Sequence, residues 1–146
     1  MTSPVLALRA AILACAEADP ELVALMGGAL RLHDEPPRAA EPVYALFGEV
    51  TAADWSTDLD RGHEQALALV VWSREGSACT GLEAAERLSA LLDGADLALV
   101  GHRLVNLRVT AIAAARDEKS GLARVTVRLR AVTEVVGDES RMANGD

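Results

Sequence analysis

The order of hydrophobic and polar residues first predicts two short helices at the start of the chain. A mostly apolar stripe recurs at three- and four-residue steps, the spacing of one helix face, and comprises Leu6, Arg9, Ile12, Leu13 and Ala16. Ser3 followed by Pro4 is typical of an N-cap and a first helical position. Asp19 followed by Pro20 repeats that signal, and a pair of glycines ends the second helix.

Extended segments are predicted next. Residues 31–42 contain three prolines, which predicts an extended loop with a short edge strand over residues 30–33. Residues 43–50 predict the first main strand, and residues 51–62 predict a long polar connection. In residues 64–73 apolar side chains fall on both faces, so we expect a strand that is central in its sheet or lies at a subunit interface.

A third helix and two further strands complete the pattern. Residues 76–93 predict a helix with an apolar stripe that includes Leu82, Ala85, Leu88 and Leu92. Apolar and polar residues then alternate over 104–112 and 122–134, which indicates two strands joined by a polar hairpin. Their core-facing sets are expected to be Val105, Leu107, Val109 and Ala111, and then Ala123, Val125, Val127, Leu129 and Ala131.

The order α-α-β-β-α-β-β predicts an α+β fold, in which helices pack on one face of an antiparallel sheet of about four main strands. The 146 residues, 51% of them hydrophobic, suit one domain with its own core. We expect that domain to span residues 1–136 and the polar residues 137–146 to form a frayed tail. No apolar run is long enough for a membrane span, and Arg9 interrupts the first one, so we expect neither a membrane segment nor a signal peptide.

The charge is negative overall but unevenly spread. The formal net charge of −8 argues against non-specific nucleic-acid binding, which needs a basic surface. Residues 101–134 nevertheless carry seven basic and three acidic side chains. Such asymmetry between segments suits self-complementary association, but it also suits a solvated surface with local ion pairs.

No residue pattern predicts a catalytic, cofactor or metal site. The three histidines and two cysteines lie far apart in the sequence: His33, His63, His102, Cys15 and Cys79. The glycines lack the Lys-Ser/Thr of a phosphate loop. Cys79 lies in the first turn of the third predicted helix, where a nucleophile is favoured, but a small helix-face residue is the simpler interpretation.

The basic residues of the last two strands are the main candidate for function. Arg108, Arg124, Arg128 and Arg130 are predicted to project from one side of the hairpin, opposite the core face. Contact with phosphate, an interface with carboxylates of a neighbouring subunit, and a solvated strand face all stay open. Phosphate contact lacks the interleaved aromatic residues of single-strand binding, whereas arginine suits bidentate pairing with carboxylates.

The landmarks of the chain, taken together, resemble the tail terminator-like family of tailed phages and gene transfer agents. In order they are ALRAAI at 7–12, DPELVALMGG at 19–28, RLHDEPP at 31–37, DWST at 54–57, GHEQALALVVWSREG at 62–76, LVGHRLVNLRV at 99–109 and RVTVRLRAVTE at 124–134. The similarity covers residues 5–134, and none of these stretches is a catalytic signature.

The resemblance implies a small α+β protomer that assembles with its own copies into a hexameric ring. The ring would cap the tail tube protein, stop its polymerisation and join the tail to the head-side stopper or connector protein. DNA would pass through the lumen without specific binding, at the tail–neck junction of a virion or phage-like particle. The resemblance implies no enzymatic activity. From the residues we expect no cofactor, metal or membrane association, and we expect the protein to be made in the host cytoplasm.

Two surfaces become candidates on this resemblance. A closed ring needs two different patches that meet between neighbours, and the arginines at 108, 124, 128 and 130 supply a basic one. The long connection at 51–62 is a candidate contact with tube or stopper through Asp54, Trp55, Asp58 and Asp60. Trp55 is either an exposed anchor or folded back over the core, and the aspartates lack the Gly and Glu of a calcium loop.

Other functions remain open from sequence. Another neck protein, such as a stopper or tail-completion factor, would share the same general features. A cytoplasmic enzyme would have a cleft around Cys79 or a histidine. A small cytoplasmic ligand-binding α+β protein would show a well-formed apolar pocket.

Overall fold

The structure, a computed structural model, describes residues 3–33, 43–74, 78–119 and 121–136. Its helices and strands, in chain order within each class, are α1 (Pro4–Glu17), α2 (Pro20–Leu25), α3 (Ala78–Leu92), β1 (Leu32–His33), β2 (Tyr44–Asp54), β3 (Gly62–Ser73), β4 (Ala98–Leu99), β5 (His102–Arg116) and β6 (Ala123–Val135). The predicted tail over 137–146 and most of the predicted loop over 31–42 lie outside the described residues.

The strands form one sheet in the order β1-β2-β3-β6-β5-β4. The four long strands β2, β3, β6 and β5 are those that the sequence predicts, and they pair antiparallel. The α+β class is therefore confirmed, but the sheet has six strands rather than about four, and one of its pairings is parallel. β1 lies within the short edge strand predicted over residues 30–33. β1 pairs with β2 in parallel, and β4 adds a second two-residue strand that is too short to show any alternation in sequence.

The helix starts follow the predicted caps. The Leu6 N–H donates to Ser3 Oγ at 3.2 Å, and the Leu22 N–H donates to Asp19 Oδ2 at 3.0 Å. The buried face of α1 differs from the prediction, because Leu6 is 61% exposed and Leu8 is buried in its place. α1 is apolar around most of its circumference, so the sequence leaves its rotation open.

The core lies between the helices and one face of the sheet. β3 is central, as predicted, and its odd-numbered residues face α3 together with the predicted core residues of β6. In α3 the predicted Ala85, Leu88 and Leu92 are buried, but Leu82 is exposed. The side chain of the buried Gln65 donates to the Pro4 carbonyl at 3.1 Å and ties the start of α1 to the sheet. The part of the chain that the structure describes contains no helix long and apolar enough to cross a membrane.

Two of the long strands extend further than predicted. β2 continues through Asp54 into the predicted polar connection, because residues 51–54 pair in register with β3. β5 reaches Arg116, and its register shifts between Leu104 and Asn106 and again between Val109 and Ala111. These bulges break the predicted alternation of β5, so Leu107 is buried while Ala111 is exposed and Val105 is 44% exposed.

Candidate assembly surface

The sheet face opposite the helices carries the predicted arginines. Because alternate residues of a strand point to opposite faces, the even-numbered residues from 64 to 72 of β3 and from 124 to 130 of β6 lie on the face opposite the helices. We call this surface the open face, and it comprises Leu46, Glu49, Glu64, Ala66, Ala68, Val70, Trp72, Arg124, Thr126, Arg128 and Arg130. The structure therefore brings Arg124, Arg128 and Arg130 together in one row along β6.

Each arginine of the row has a different environment. Arg130 Nη2 donates to Glu64 Oε2 at 2.6 Å, which uses its charge within the protomer. The Arg124 guanidinium lies 5.8 Å from the centre of the Trp72 ring, a cation–π distance. For Arg128, no carboxylate among the described residues lies within ion-pair distance, and the side chain is exposed. Arg128 is thus the member of the row best placed to meet an external carboxylate.

Arg108 lies on the neighbouring strand β5, directly opposite Arg130 in the strand pairing, so it shares the face of this row. Its Nε donates to Asp93 Oδ1 at 3.2 Å, and the same oxygen accepts the Val109 N–H at 3.0 Å. The Val109 N–H, followed by Arg108, holds the pKa of the Asp93 carboxyl below its usual range against the opposing effect of burial. The predicted interface role of Arg108 therefore competes with a contact at the end of α3.

A shallow groove of about 430 Å³ crosses the open face. Its lining combines the apolar Leu46, Val70 and Trp72 with the charged Glu49 and Arg128. A second groove of about 270 Å³ adjoins it near Glu64 and Arg130. An open sheet face that mixes apolar and charged side chains has the composition of a protein interface rather than of an enclosed ligand pocket.

The turn between β2 and β3 is held by short polar side chains. Ser56 Oγ donates to Asp54 Oδ1 at 2.6 Å and accepts the Gly62 N–H at 3.2 Å. Thr57 Oγ1 accepts the Asp60 N–H at 3.1 Å. These contacts give the turn a defined shape, so the side chains at its tip are presented in fixed positions.

That tip exposes apolar surface as well as the predicted carboxylates. Trp55 is 47% exposed, which places it between the two predicted alternatives, and Asp58 and Asp60 are exposed. Leu59, which the sequence analysis did not single out, is 92% exposed. Its position between two aspartates is the signal that could have identified it, because an isolated leucine in a polar turn has no core to enter.

The other chemical candidates are dispersed. Within the described ranges no group of three or more His, Cys, Asp or Glu side chains could hold a metal ion. Burial, followed by the Asp19 carboxylate, raises the pKa of the Cys15 thiol, which disfavours a reactive thiolate there. Cys79 is exposed near the start of α3, and both cysteines are free.

Comparison with known proteins adds independent information. The model of the family described as "Tail completion protein gp17" matches residues 10–134. A solved chain in the structure described as "Virion of native gene transfer agent (GTA) particle" is 31% identical, with a TM-score of 0.82 over 92% of this chain and 99% of that chain. No curated protein sequence matches. Both matches agree with the resemblance found in the sequence landmarks.

Proposed function

This chain belongs to the tail completion protein gp17 family, and on that premise we propose that it is the tail terminator of a phage or gene transfer agent particle. Copies of the chain form a hexameric ring that caps the tail tube and stops its polymerisation. The same ring joins the tail to the head-side stopper or connector protein. The protein is a structural component of the particle, as is the gene transfer agent chain to which it is similar.

The open face is the observation that carries this proposal. Within the described residues this face presents apolar and charged side chains together, a mixture typical of a surface that binds other chains. The exposed guanidinium of Arg128 beside an apolar groove supplies both charge and buried area for such a contact. The acidic overall charge of −8 suits a lumen that DNA passes without binding, because like charges repel.

The turn between β2 and β3 is the proposed contact with the tube or the stopper. It presents Trp55 and Leu59 beside Asp54, Asp58 and Asp60 in a shape fixed by hydrogen bonds. Exposed aromatic and aliphatic side chains surrounded by polar residues are typical of binding anchors. This role needs no catalytic group, and we propose that the protein acts without enzymatic activity.

Deletion of the gene tests the proposal against the other neck-protein roles. Without a terminator, tube subunits keep adding, so tails of variable and excessive length are expected in electron micrographs. Loss of a stopper would instead leave tails of normal length that are separated from the heads. If the deletion strain instead makes tails of normal length, and supplying the intact gene restores complete particles, the chain acts as the stopper or in another completion step.

A further inference from the structure

The sheet has two strand edges that are only partly covered by other strands of the described residues. β1 pairs only with Ala45 and Leu46 of β2, and β4 pairs only with His102 and Arg103 of β5. Within the described residues, no strand lies beside residues 50–54 of β2 or residues 112–116 of β5. All of these residues except the half-buried Val50 are exposed. Unpaired edges of this length are sites at which another strand is added.

We propose that residues 112–116 of one copy pair antiparallel with residues 50–54 of the next copy, so that neighbouring protomers share one continuous sheet. This inference rests on the proposed ring and specifies its subunit interface. It differs from the arginine-row interface, because the main contact is made by the backbone at the sheet edge rather than by side chains on the open face.

The hydrogen-bonding groups of both edges point outward. The Trp55 N–H donates to the Gly62 carbonyl at 2.9 Å, so the backbone groups of Trp55 point toward β3. Because these groups alternate in direction along an antiparallel strand, the backbone N–H and C=O groups of Val50, Ala52 and Asp54 point away from β3. The Asp117 N–H donates to the Leu122 carbonyl at 2.8 Å, which by the same alternation directs Ile112, Ala114 and Arg116 away from β6.

Strand direction and side-chain faces select one register. β2 and β5 run in opposite directions in the sheet, so a head-to-tail neighbour brings them together antiparallel. When Ala52 lies opposite Ala114, Val50 lies opposite Arg116 and Asp54 lies opposite Ile112. All three pairs can then form backbone hydrogen bonds, and the core-side residues of the two strands lie on the same face of the shared sheet. In this register Ala53 lies opposite Ala113 as a pair without mutual hydrogen bonds.

The charges around the two edges are complementary. Residues 47–64, which contain the β2 edge, carry five acidic side chains and one arginine. Residues 108–130, which contain the β5 edge, carry six basic and two acidic side chains. In the proposed register the acidic turn between β2 and β3 comes close to Arg108. A second copy of this chain is therefore the occupant that the charge pattern favours.

The two edges also lie at different heights along the sheet. Ala52 pairs with Gln65, Gln65 pairs with Ala131 and Ala131 pairs with Leu107, so Ala52 and Leu107 lie at the same height in the sheet. Ala114 lies about six residue positions further along β5. The offset between Ala52 and Ala114 along the strands is therefore roughly 20 Å, at ~3.3 Å per residue. Four strand spacings of ~4.8 Å, about 19 Å in total, separate β2 of one copy from β2 of the next. Because the offset along the strands is about as large as this distance across them, the strands tilt by about 45° from the axis of the ring. Strands in closed sheets tilt by about 35–45°, so this stagger suits a ring.

Disulfide cross-linking within assembled particles tests the pairing. Particles are produced with a chain carrying Cys79→Ser, Ala53→Cys and Ala113→Cys, oxidised, and separated on a denaturing gel without reductant. Facing residues of this kind have Cα atoms about 4.5 Å apart, within disulfide range. We expect a ladder of cross-linked multimers that collapses to monomer on reduction.

The matched control replaces Ala114 instead of Ala113, which places the two cysteines on opposite faces and gives no ladder. A ladder from Ala113→Cys alone would indicate symmetric pairing of two β5 edges and would overturn the proposal. No ladder from particles with normal tails would also overturn it, while the tail-length experiment would still support the ring function.

A proline substitution gives a second, independent test. Ala114→Pro removes an outward N–H from an edge strand, where proline is tolerated, and Ala114→Ser keeps it. We expect the proline variant to retain the circular dichroism spectrum of the folded protomer and to be lost from particles, while the serine variant is incorporated normally. Normal incorporation of the proline variant contradicts the shared sheet.

Discussion

Arg130 Nη2 lies 2.6 Å from Glu64 Oε2, and this ion pair joins the two central strands on the open face. Arg128 lies on the same face two residues earlier, with no carboxylate within ion-pair distance in the described part of the chain. Two arginines of one strand therefore have different surroundings. Arg130 is paired within the protomer, whereas Arg128 is exposed, and we propose that it meets a carboxylate of a neighbouring copy.

Arg128→Glu is expected to leave the protomer stable and to impair assembly. The side chain is exposed and makes no ion pair with the residues that the structure describes, so the unfolding midpoint in urea should stay close to that of the unmodified protein. The reversed charge would repel the carboxylates that the proposed interface brings near it. Counting the copies incorporated into particles, alongside a urea titration, measures both effects. A variant that assembles normally would place the arginine row outside the interface.

Arg130→Glu is expected to lower the stability of the protomer, because it places two carboxylates side by side. The loss should be small, about 0.5–1 kcal/mol, since both side chains of the pair are substantially exposed to solvent. The double variant Glu64→Arg, Arg130→Glu should recover most of that loss by restoring opposite charges. Chemical unfolding of the two single variants and the double variant measures the coupling, and complete additivity would show that the pair contributes nothing.

Acid should destabilise the packing of α2 against α3. Arg87 donates to both carboxylate oxygens of Asp19, from Nε at 2.8 Å and from Nη2 at 2.7 Å. These bonds lower the pKa of Asp19 in the folded protein below its value of about 3.9 in the unfolded chain. The stabilisation of the folded state by ionised Asp19 is therefore fully present above pH ~3.9, and it is lost as the pH falls through the lower folded pKa.

Asp19→Asn isolates this effect, because asparagine still caps α2. We expect the unfolding free energy of the variant to fall less than that of the unmodified protein as pH falls below about 4. Parallel unfolding curves across the pH range measure the difference. Identical pH dependence in the two proteins would remove Asp19 from the acid transition.

Trp55→Ala is expected to reduce the joining of heads to tails without destabilising the protomer. The Trp55 side chain is 47% exposed at the turn between β2 and β3, so its loss leaves the core intact. Leu6→Ala is a matched control, because Leu6 is also an exposed apolar residue (61%) but lies on α1. Electron micrographs score free tails, and thermal unfolding checks the protomer. Equal joining by both variants would exclude Trp55 as an anchor.

Gly81→Ala should destabilise the protein, although alanine favours helices. A Cβ at this position of α3 would lie 2.5 Å from Ser73 Oγ and 2.8 Å from Ser73 Cβ on β3. Relieving that overlap moves the helix off the sheet, at a cost of about 1–3 kcal/mol. Helix propensity alone predicts a gain of about 1 kcal/mol, so the sign of the change in urea unfolding decides between the two.

The main strands and the helix caps could be predicted because their signals are local. The alternation of β6 from Val125 to Ala131 identifies its core face, and Ser3 and Asp19 cap helices within three residues of themselves. The sequence was less informative where apolar residues surround an element or a bulge intervenes. α1 is rotated so that Leu6 is exposed, and the register shifts of β5 reverse the expected face of Ala111.

The arginine row was predicted from alternation alone, but the different surroundings of its members were not. Whether an arginine finds an internal carboxylate depends on strand order, which places Glu64 of β3 beside Arg130 of β6. The free edges were also beyond sequence, since they exist only because β1 and β4 each pair with two residues of a long strand. Both features arise from contacts between segments distant in the chain.

The β2–β3 turn and the β5–β6 turn lie at opposite ends of the strands, since Gly62 pairs with Glu134 and Ser73 pairs with Ala123. The strands of the proposed ring tilt by about 45° from its axis, so these two turns lie on opposite rims, which are chemically unlike: one is acidic with protruding Trp55 and Leu59, and the other bears Arg116 and Lys119. A ring with two different rims fits into a growing particle in only one orientation. The direction of the tail is then carried through this layer, although the layer is built from a single kind of subunit.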